Sequence, residues 1–494
     1  MDLRPVMDLA GQNLLHCLCP TRNFQPYWSM RVDEECRAGM YWAGNIHNIG
    51  RWWDAMLRLE AVTGFVIPAH LEAAMLENLR ESFANPYQLC LPAPEVGYMK
   101  PGLDLHSLRE SLLALTALVR HRNSAWAAAQ AHRMLQTLQR IGRPEGGWDL
   151  DQLEYYDRNR DESAIPEPNV RTDGRLIEAL VWHYEETGDT LALELASRYA
   201  RYHLEHTVST DGTYNDASRS THTHSYLGTL RGLLLFGLST RQRDYVDRVR
   251  RTCHVTVPKL VLESGFACHD LWQDRPHRGE TGSTGDAMQL ALWLALHAGC
   301  SEGFDNAERL LRARMVPAQI TESPGLAPAA DDGCDEHANL EERLVGAIGG
   351  MHAEPHGGKR HTTDVTAAGL HGLVDIYNHI VEATDRLVRV NFHLDFQDDT
   401  VTIVSRRSAA GARVSVHVRQ RRTVLVRMPG WTPGAAVRLA IDGQSLAPEW
   451  IGSSLCIPET LMPGAIQLEY SWRGDDLVGV HPNTTFFPMY PSTE

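Results

Sequence analysis

The sequence predicts a mainly α protein with a β domain: an (α/α)6 toroid followed by a C-terminal β-sandwich. A helix-hairpin pattern starts over six times, near residues 50, 109, 174, 225, 285 and 369. After Asp385 the apolar period falls from about 3.6 residues to about 2. Because a helix pair cannot bury its apolar face alone, several pairs must pack side by side, and six can close into a ring.

The N-terminal residues 1–40 lack clear periodicity, and we expect a strand or cap there, ahead of a toroid at 41–384. The third hairpin is the clearest, because its apolar residues recur at helical spacing: Leu176, Ile177, Leu180, Val181 and Tyr184. Gly188 and Asp189 then interrupt the pattern before a second helix begins. The fifth hairpin repeats this layout around a break at Gly299.

One long connection interrupts the helical region, from Thr321 to Asp364. It is rich in Gly, Pro, His and acidic residues, with a short helical patch at Leu340 to Val345. Connections of this length inside a compact domain are usually functional or disordered. We therefore place it over the mouth of the funnel that the inner helices would enclose.

The last segment, residues 385–494, reads as a β-sandwich. Val414, Val416 and Val418 alternate strictly, and Asp442-Gly443 is a hairpin signal. Short strands at this spacing with turn residues between them are typical of sandwiches. The expected strands cover 387–392, 401–404, 414–418, 423–428, 437–441, 454–457 and 466–470.

Composition excludes several classes of partner. The net charge of −15 on 494 residues argues against nucleic acid, because phosphate binding needs a basic face. No apolar run is long enough to span a membrane. The nine cysteines are odd in number and scattered, and Met1 to Gly11 lacks a signal-peptide core, so we predict a cytoplasmic protein. The sequence does not determine the oligomeric state, and it is compatible with a homo-oligomer.

Three helix starts contain short sequence motifs in addition to the apolar period. They are Asn48-Ile-Gly-Arg-Trp-Trp-Asp-Ala55, Gly174-Arg-Leu-Ile-Glu-Ala-Leu180 and Gly279-Glu-Thr-Gly282. Together with the downstream sandwich they resemble the β-L-arabinofuranosidases of glycoside hydrolase family 127 and their uncharacterised relatives. The resemblance covers nearly the whole chain. It implies hydrolysis of a furanoside, such as a β-L-arabinofuranoside, inside the toroid.

The chain departs from that family where its zinc and its nucleophile should be. In the family, a Glu-Thr-Cys motif and a later Cys-Cys pair bind zinc, and one paired cysteine is the nucleophile. Here Glu280 is followed by Thr281 and Gly282, and the pair maps to Thr362-Thr363. We therefore predict no cofactor and no cysteine nucleophile. The alternative is a metal site built from Glu280 and histidines of the loop 351–361.

Carboxylates are then the expected catalysts, since glycoside hydrolysis usually uses two across the scissile bond. The resemblance places the family's acid/base residue at Glu263, in a Glu-Ser step upstream of Asp270-Leu271. We predict Glu263 as the acid and Glu280 as the base or nucleophile; the alternative is that Glu280 only caps the helix that follows. Asp364, beside the threonines, is a further candidate nucleophile.

A second set of polar residues is expected to hold the sugar. A His-x-His pair at the start of the fourth hairpin could hydrogen-bond sugar hydroxyls or bind metal, and Arg175 could recognise a hydroxyl or a carboxylate, with salt bridging equally open. The predicted substrate-binding residues are His47, Asp173, Arg175, His222, His224, Tyr226 and Asp270.

The function predicted from these residues is hydrolysis of a small glycoside or oligosaccharide. Two alternatives remain at this point. One is a polysaccharide lyase or sugar epimerase on the same toroid, with Tyr226 or His224 as base and Arg231 or Arg175 neutralising a uronate. The other is a non-catalytic sugar-binding relative that lost its chemistry with its cysteines.

Overall fold

A computed structural model describes residues 1–33, 35–43, 46–91, 105–153, 168–215, 222–262, 264–271, 279–323, 325–330, 332–349 and 359–472. Its helices are α1 (Arg4–His16), α2 (Ile46–Thr63), α3 (Ala69–Ser82), α4 (Leu108–Arg122), α5 (Ala125–Ile141), α6 (Arg175–Thr187), α7 (Thr190–His206), α8 (Thr223–Ser239), α9 (Arg243–Val255), α10 (Val257–Leu260), α11 (Thr281–His297), α12 (Glu302–Leu310), α13 (Leu340–Leu344) and α14 (Thr363–Asn378).

Two concentric layers of helices form the predicted toroid. The inner layer is α2, α4, α6, α8, α11 and α14, and each of these contacts the next, with α14 returning to α2. The outer layer is α3, α5, α7, α9, α12 and α1. The burial patterns explain the sorting: α9 buries one narrow stripe, Tyr245, Val249 and Thr252, whereas α11 is buried on all sides from Thr281 to Leu290.

The outer helix α1 was not expected, because residues 1–40 lacked clear periodicity. Its buried side chains, Met7, Ala10 and Leu14, do recur at helical spacing, but Gly11 and Asn13 interrupt the apolar stripe. Gly11 allows close packing on α2, since a Cβ there would collide with the Leu59 side chain. The segment therefore supplies the sixth outer helix, which packs on α14 and α2.

A small sheet covers one side of the ring. Its strands are β1 (Leu18–Cys19), β2 (Gln25–Val32), β3 (Ala38–Ala43) and β4 (Lys359–Thr362), and β2 pairs with each of the others. The Asn48 side-chain amide donates to the Tyr27 carbonyl at 2.9 Å, and Thr363 Oγ1 donates to the same carbonyl at 2.6 Å. The sheet is therefore fixed across the first turns of α2 and α14.

The long connection reaches the same end of the ring. The short helix expected near Leu340 is confirmed as α13. Gly349, with φ 63, packs directly against Thr281 at the start of α11. The His361 ring nitrogen Nδ1 contacts the Gly349 carbonyl at 2.9 Å. Most of the three-histidine stretch, residues 350–358, lies outside the described residues.

The C-terminal strands form two sheets, as predicted. They are β5 (Val381–Ala383), β6 (Leu387–Val390), β7 (Phe396–Gln397), β8 (Val401–Arg407), β9 (Gly411–Val418), β10 (Thr423–Arg427), β11 (Arg438–Ile441), β12 (Gln444–Leu446), β13 (Trp450–Ile451), β14 (Ser454–Ile457) and β15 (Gly464–Ser471). The sheet orders are β13-β14-β10-β6-β5 and β12-β11-β15-β9-β8-β7. Arg427 and Arg407 bind Glu308 of α12, which joins the sheets to the outer layer.

All nine cysteines are free thiols. None of the helices in the described ranges combines the length and apolarity that crossing a bilayer requires. The cytoplasmic location and the division at residues 40 and 384 stay predictions.

Candidate active site at the mouth of the toroid

The six inner helices begin at one end of the ring, which we call the mouth. Their first turns bring residues from distant hairpins together. His47 of α2 lies between two carboxylates: its Nδ1 is 3.5 Å from Glu110 of α4, and its Nε2 is 3.3 Å from Asp364 of α14. Helix N-termini carry partial positive charge, which favours carboxylates at this end.

Below the mouth lies a set of buried, mutually paired charges, here called the floor network. Arg51 and Arg175 both pair with Glu110, at 3.3 and 2.5 Å. Such pairing is required, because an unpaired charge in this position would be strongly destabilising. The network comprises Arg51, Arg109, Glu110, Arg175, Glu178, His224, Arg231 and Asp286, and it links α2, α4, α6, α8 and α11.

His224 belongs to this network. Arg51 Nη2 donates to His224 Nε2 at 2.7 Å, and His224 Nδ1 contacts the Asp286 carboxylate. Burial lowers the pKa of His224, with the Asp286 charge acting in the opposite direction. Both ring nitrogens are engaged with protein side chains, so His224 positions Arg51 and Asp286 and does not offer the sugar contact expected of it.

Asp364 is held as an anion. Burial alone would raise its pKa, but the hydrogen bond from His47 and the charge on Arg51 outweigh burial and hold the pKa of Asp364 below its ordinary range. The same balance, with Arg175 as the strongest partner, keeps the pKa of Glu110 well below its usual value. Both carboxylates are therefore ionised at neutral pH.

Glu280 is the second carboxylate at the mouth, and it is 4% exposed. It occupies the N-cap position of α11, but its side chain makes no capping hydrogen bond. Instead, its Oε2 lies 3.2 Å from Nε2 of His222. The alternative that Glu280 only caps the helix is therefore wrong.

Two further histidines complete the mouth, and sequence reasoning missed both. His106 stacks on His47 with ring centroids 5.0 Å apart, and His269 lies 5.1 Å from the ring of His222. Burial lowers the pKa of His106 and of His222 well below the ordinary value, so both rings are neutral at pH 7. A signal was available for His106, which like His47 and His222 stands at the start of an inner helix.

Two predicted contacts do not line the mouth. Tyr226 is fully buried, and its ring packs edge-on against Tyr214 at 5.3 Å. It follows His224 by two residues and therefore faces the opposite side of α8. Asp173 is also fully buried and turns outward, 3.5 Å from His203 of α7. Neither side chain can contact a ligand in the funnel, which contradicts the predicted sugar contacts of Tyr226 and Asp173.

Three predicted site residues remain, and each has a different outcome. Arg175 is 1% exposed and pairs with Glu110, which agrees with the salt-bridge alternative. Asp270 lies at the mouth, 3.0 Å from Nδ1 of His269. Glu263 lies outside the described residues, and its role as acid stays a prediction.

The thiolate zinc site of the resembled family has no counterpart here. A Cβ at Gly282 would lie 2.9 Å from Glu280 Oε1, so a side chain there would require the Glu280 carboxylate to shift. Thr363, at one of the two paired-cysteine positions, directs its hydroxyl to the backbone carbonyl of Tyr27. These residues do not fit zinc bound through sulfur.

Comparison with known proteins supports the architecture. No protein-family model and no curated protein matches the chain. Among solved structures it is similar to a family 127 β-L-arabinofuranosidase from Geobacillus stearothermophilus T6, with 14% identity over 86% of this chain and 72% of that chain, and a TM-score of 0.54.

Two other toroidal enzymes are also similar. An unsaturated glucuronyl hydrolase specific for heparin shares 11% identity, covering 75% of this chain and 95% of that chain, with a TM-score of 0.52. An α-1,6-mannanase of glycoside hydrolase family 76 from Salegentibacter sp. shares 14%, covering 76% and 98%, with a TM-score of 0.50. At these identities the likeness shows the fold, and it confirms the resemblance to family 127 at that level.

Proposed function

We propose that the protein is a glycoside hydrolase that cleaves a small glycoside or oligosaccharide at the mouth of the toroid. The observation that carries the proposal is the pair of buried carboxylates, Glu280 and Asp364, at the starts of the adjacent inner helices α11 and α14. Each faces an imidazole. The similarity in fold to three glycoside hydrolases is consistent with this chemistry.

Asp364 is proposed as the base or nucleophile. His47 and Arg51 favour its anionic form, and an anion is what attack on the anomeric carbon or activation of water requires. The imidazole also fixes the orientation of the carboxylate. Glu280 provides the second carboxyl group beside His222, and Glu263 is retained as the proposed proton donor.

The finer proposal concerns the sugar. The resemblance stated above favours a furanoside, with a β-L-arabinofuranoside as the first candidate. A panel of aryl glycosides that contains arabinofuranosides, unsaturated uronides and α-mannosides tests this directly. Release of aglycone from the arabinofuranoside alone supports the assignment; turnover of another member of the panel corrects the sugar and keeps the reaction class.

The side chains proposed as base and cation for a lyase are not available for that chemistry. Tyr226 faces away from the funnel, and both ring nitrogens of His224 are bound by protein. The guanidiniums of Arg175 and Arg231 are paired with Glu110 and Glu178. Because none of these four side chains remains to remove a proton or to neutralise a uronate, we do not propose elimination.

Two substitutions test the carboxylates. Asp364→Asn and Glu280→Gln are each expected to lower kcat by at least about 100-fold, the usual scale for losing a positioned acid or base. Tyr226→Phe is the control, since its hydroxyl is buried without a hydrogen-bond partner and faces away from the mouth. Near-wild-type rates in both carboxyl variants would rule out the proposed site.

A further inference from the structure

The mouth holds three metal-ligand side chains in close proximity. One ligand atom from each of His222, His269 and Glu280 lies within 4.8 Å of the other two. We propose that these three residues bind a divalent transition-metal ion of the zinc type. The ligand set differs from that of the resembled family. Glu280 matches the family's zinc-binding glutamate, but two imidazoles take the place of the cysteine sulfurs.

The spacing and the donor set suit zinc. Two ligands about 2.0–2.1 Å from a tetrahedral zinc lie roughly 3.3 Å apart. Nε2 of His222 and Oε2 of Glu280 are 3.2 Å apart. Two imidazoles and one carboxylate also form a donor set in which zinc keeps its fourth position open. Imidazole donors select transition metals over calcium and magnesium, which prefer oxygen.

The hydrogen-bond partners of the two histidine ligands support the proposed zinc site. Histidines that bind metal usually have the other ring nitrogen held by a carboxylate or another polar group, which fixes the tautomer. Nδ1 of His269 is 3.0 Å from Asp270, and Nδ1 of His222 is 2.8 Å from the Ser225 hydroxyl. The Ser225 contact leaves Nε2 of His222 facing Glu280, and the Asp270 contact fixes the orientation of the His269 ring.

The backbone joins the three ligand-bearing segments. His222 forms a β-bridge with Asp270, and Cys268 forms one with Gly279. The amide of Thr223 donates to the carbonyl of His269 at 2.9 Å, and the amide of Glu280 donates to the carbonyl of Ala267 at 3.1 Å. The ligands are thus held in place by hydrogen bonds that do not depend on a metal, as a preorganised site requires.

The evidence for the zinc site does not depend on the proposed hydrolysis. A bound zinc would, however, change the role of Glu280 in that reaction. With metal bound, Glu280 acts as a ligand, and the charge needed for attack remains with Asp364. The open fourth position would accept water or a sugar hydroxyl as a neutral oxygen donor.

The test uses the full chain after removal of metal with a chelator and exhaustive dialysis. Titration with zinc chloride, followed by calorimetry and by elemental analysis of dialysed samples, should give one zinc per chain. Asp270→Asn should weaken zinc binding by about 10- to 100-fold, and His269→Gln should weaken it further. Circular dichroism of both variants verifies that the fold is kept.

His132→Gln is the matched control. His132 and Asp189 form a similar histidine–aspartate pair, 2.8 Å apart, on the outer layer, so this variant should bind zinc like the wild type. Absence of stoichiometric zinc, binding of calcium but not zinc, or equal affinity in the wild type and His269→Gln would each overturn the site. Zinc binding without turnover of any glycoside would support the site and count against the proposed hydrolysis. Turnover of a glycoside without zinc binding would support the hydrolysis and overturn the zinc site.

Discussion

Gly282 illustrates how one missing side chain shapes the mouth. A Cβ at this position would lie 2.9 Å from Oε1 of Glu280, and the carboxylate that His222 contacts would have to shift. The resemblance to family 127 identified Glu280 and the absence of the cysteine at 282, but it could not show this steric relation. His269 was missed for a different reason: it lies in an irregular segment, where no helical period marks which side chains face the funnel.

Gly282→Ala is therefore expected to lower kcat at least about tenfold, because the Glu280 carboxylate must shift and a displaced catalytic group loses its positioning. The melting temperature should hardly change, because the atom that must move is the end of a flexible side chain. Gly285→Ala, one turn along α11, is the control: its Cβ would meet only ordinary contacts at 3.7 Å or more. Unchanged activity in Gly282→Ala would argue against a role for the present position of Glu280.

The helix and strand elements were largely predictable because they repeat simple periods. Five of the six predicted inner-helix starts lie within four residues of the observed ones, whereas the sixth was predicted near residue 369 and lies at Thr363. The predicted strands likewise follow the alternation of apolar residues. The helix α1 was missed because Gly11 and Asn13 interrupt its stripe. The outward orientation of Tyr226 was missed because neighbouring residues at one helix start were assigned to one face.

The contact between α12 and the sheets depends on a buried charge. Glu308 is fully buried and contacts Arg312, Arg407 and Arg427. Glu308→Ala leaves these guanidiniums without that partner, and we expect it to lower the free energy of unfolding by about 3–5 kcal/mol. Denaturant titration measures this change.

The exposed pair of Arg413 and Glu469, 3.2 Å apart on β9 and β15, provides the comparison. Arg413→Ala should cost less than about 1 kcal/mol, because exposed ion pairs contribute little. Equal losses in the two variants would show that burial of Glu308 does not govern this contact.

At the scale of the whole molecule, buried histidines make stability depend on pH. Burial lowers the pKa of His183 to about 4, and it lowers the pKa of His106 well below the ordinary value. The unfolded chain therefore takes up protons below about pH 6.5 that the folded protein does not bind. Their contribution to stability is complete above that pH and is lost as the pH falls toward the folded values.

The free energy of unfolding should accordingly decrease between pH 7 and pH 5, approaching about 1.4 kcal/mol per pH unit for each such histidine once the pH lies below about 6.5. Denaturant titrations at several pH values measure the slope. His183→Gln, which keeps a polar partner for Thr116, should reduce it. A flat profile over this range would contradict neutral burial of these rings.

The floor network has a further consequence for how a polymer could be degraded. Paired guanidiniums and carboxylates fill the centre of the ring, and Arg175, Glu178 and Asp286 are almost fully buried. The described side chains thus close the centre of the ring below the mouth. A glycan therefore cannot thread through the centre of the ring, and it could reach Asp364 only from the side of the mouth. In the proposed hydrolysis, substrate would therefore enter and products would leave on the same side of the ring.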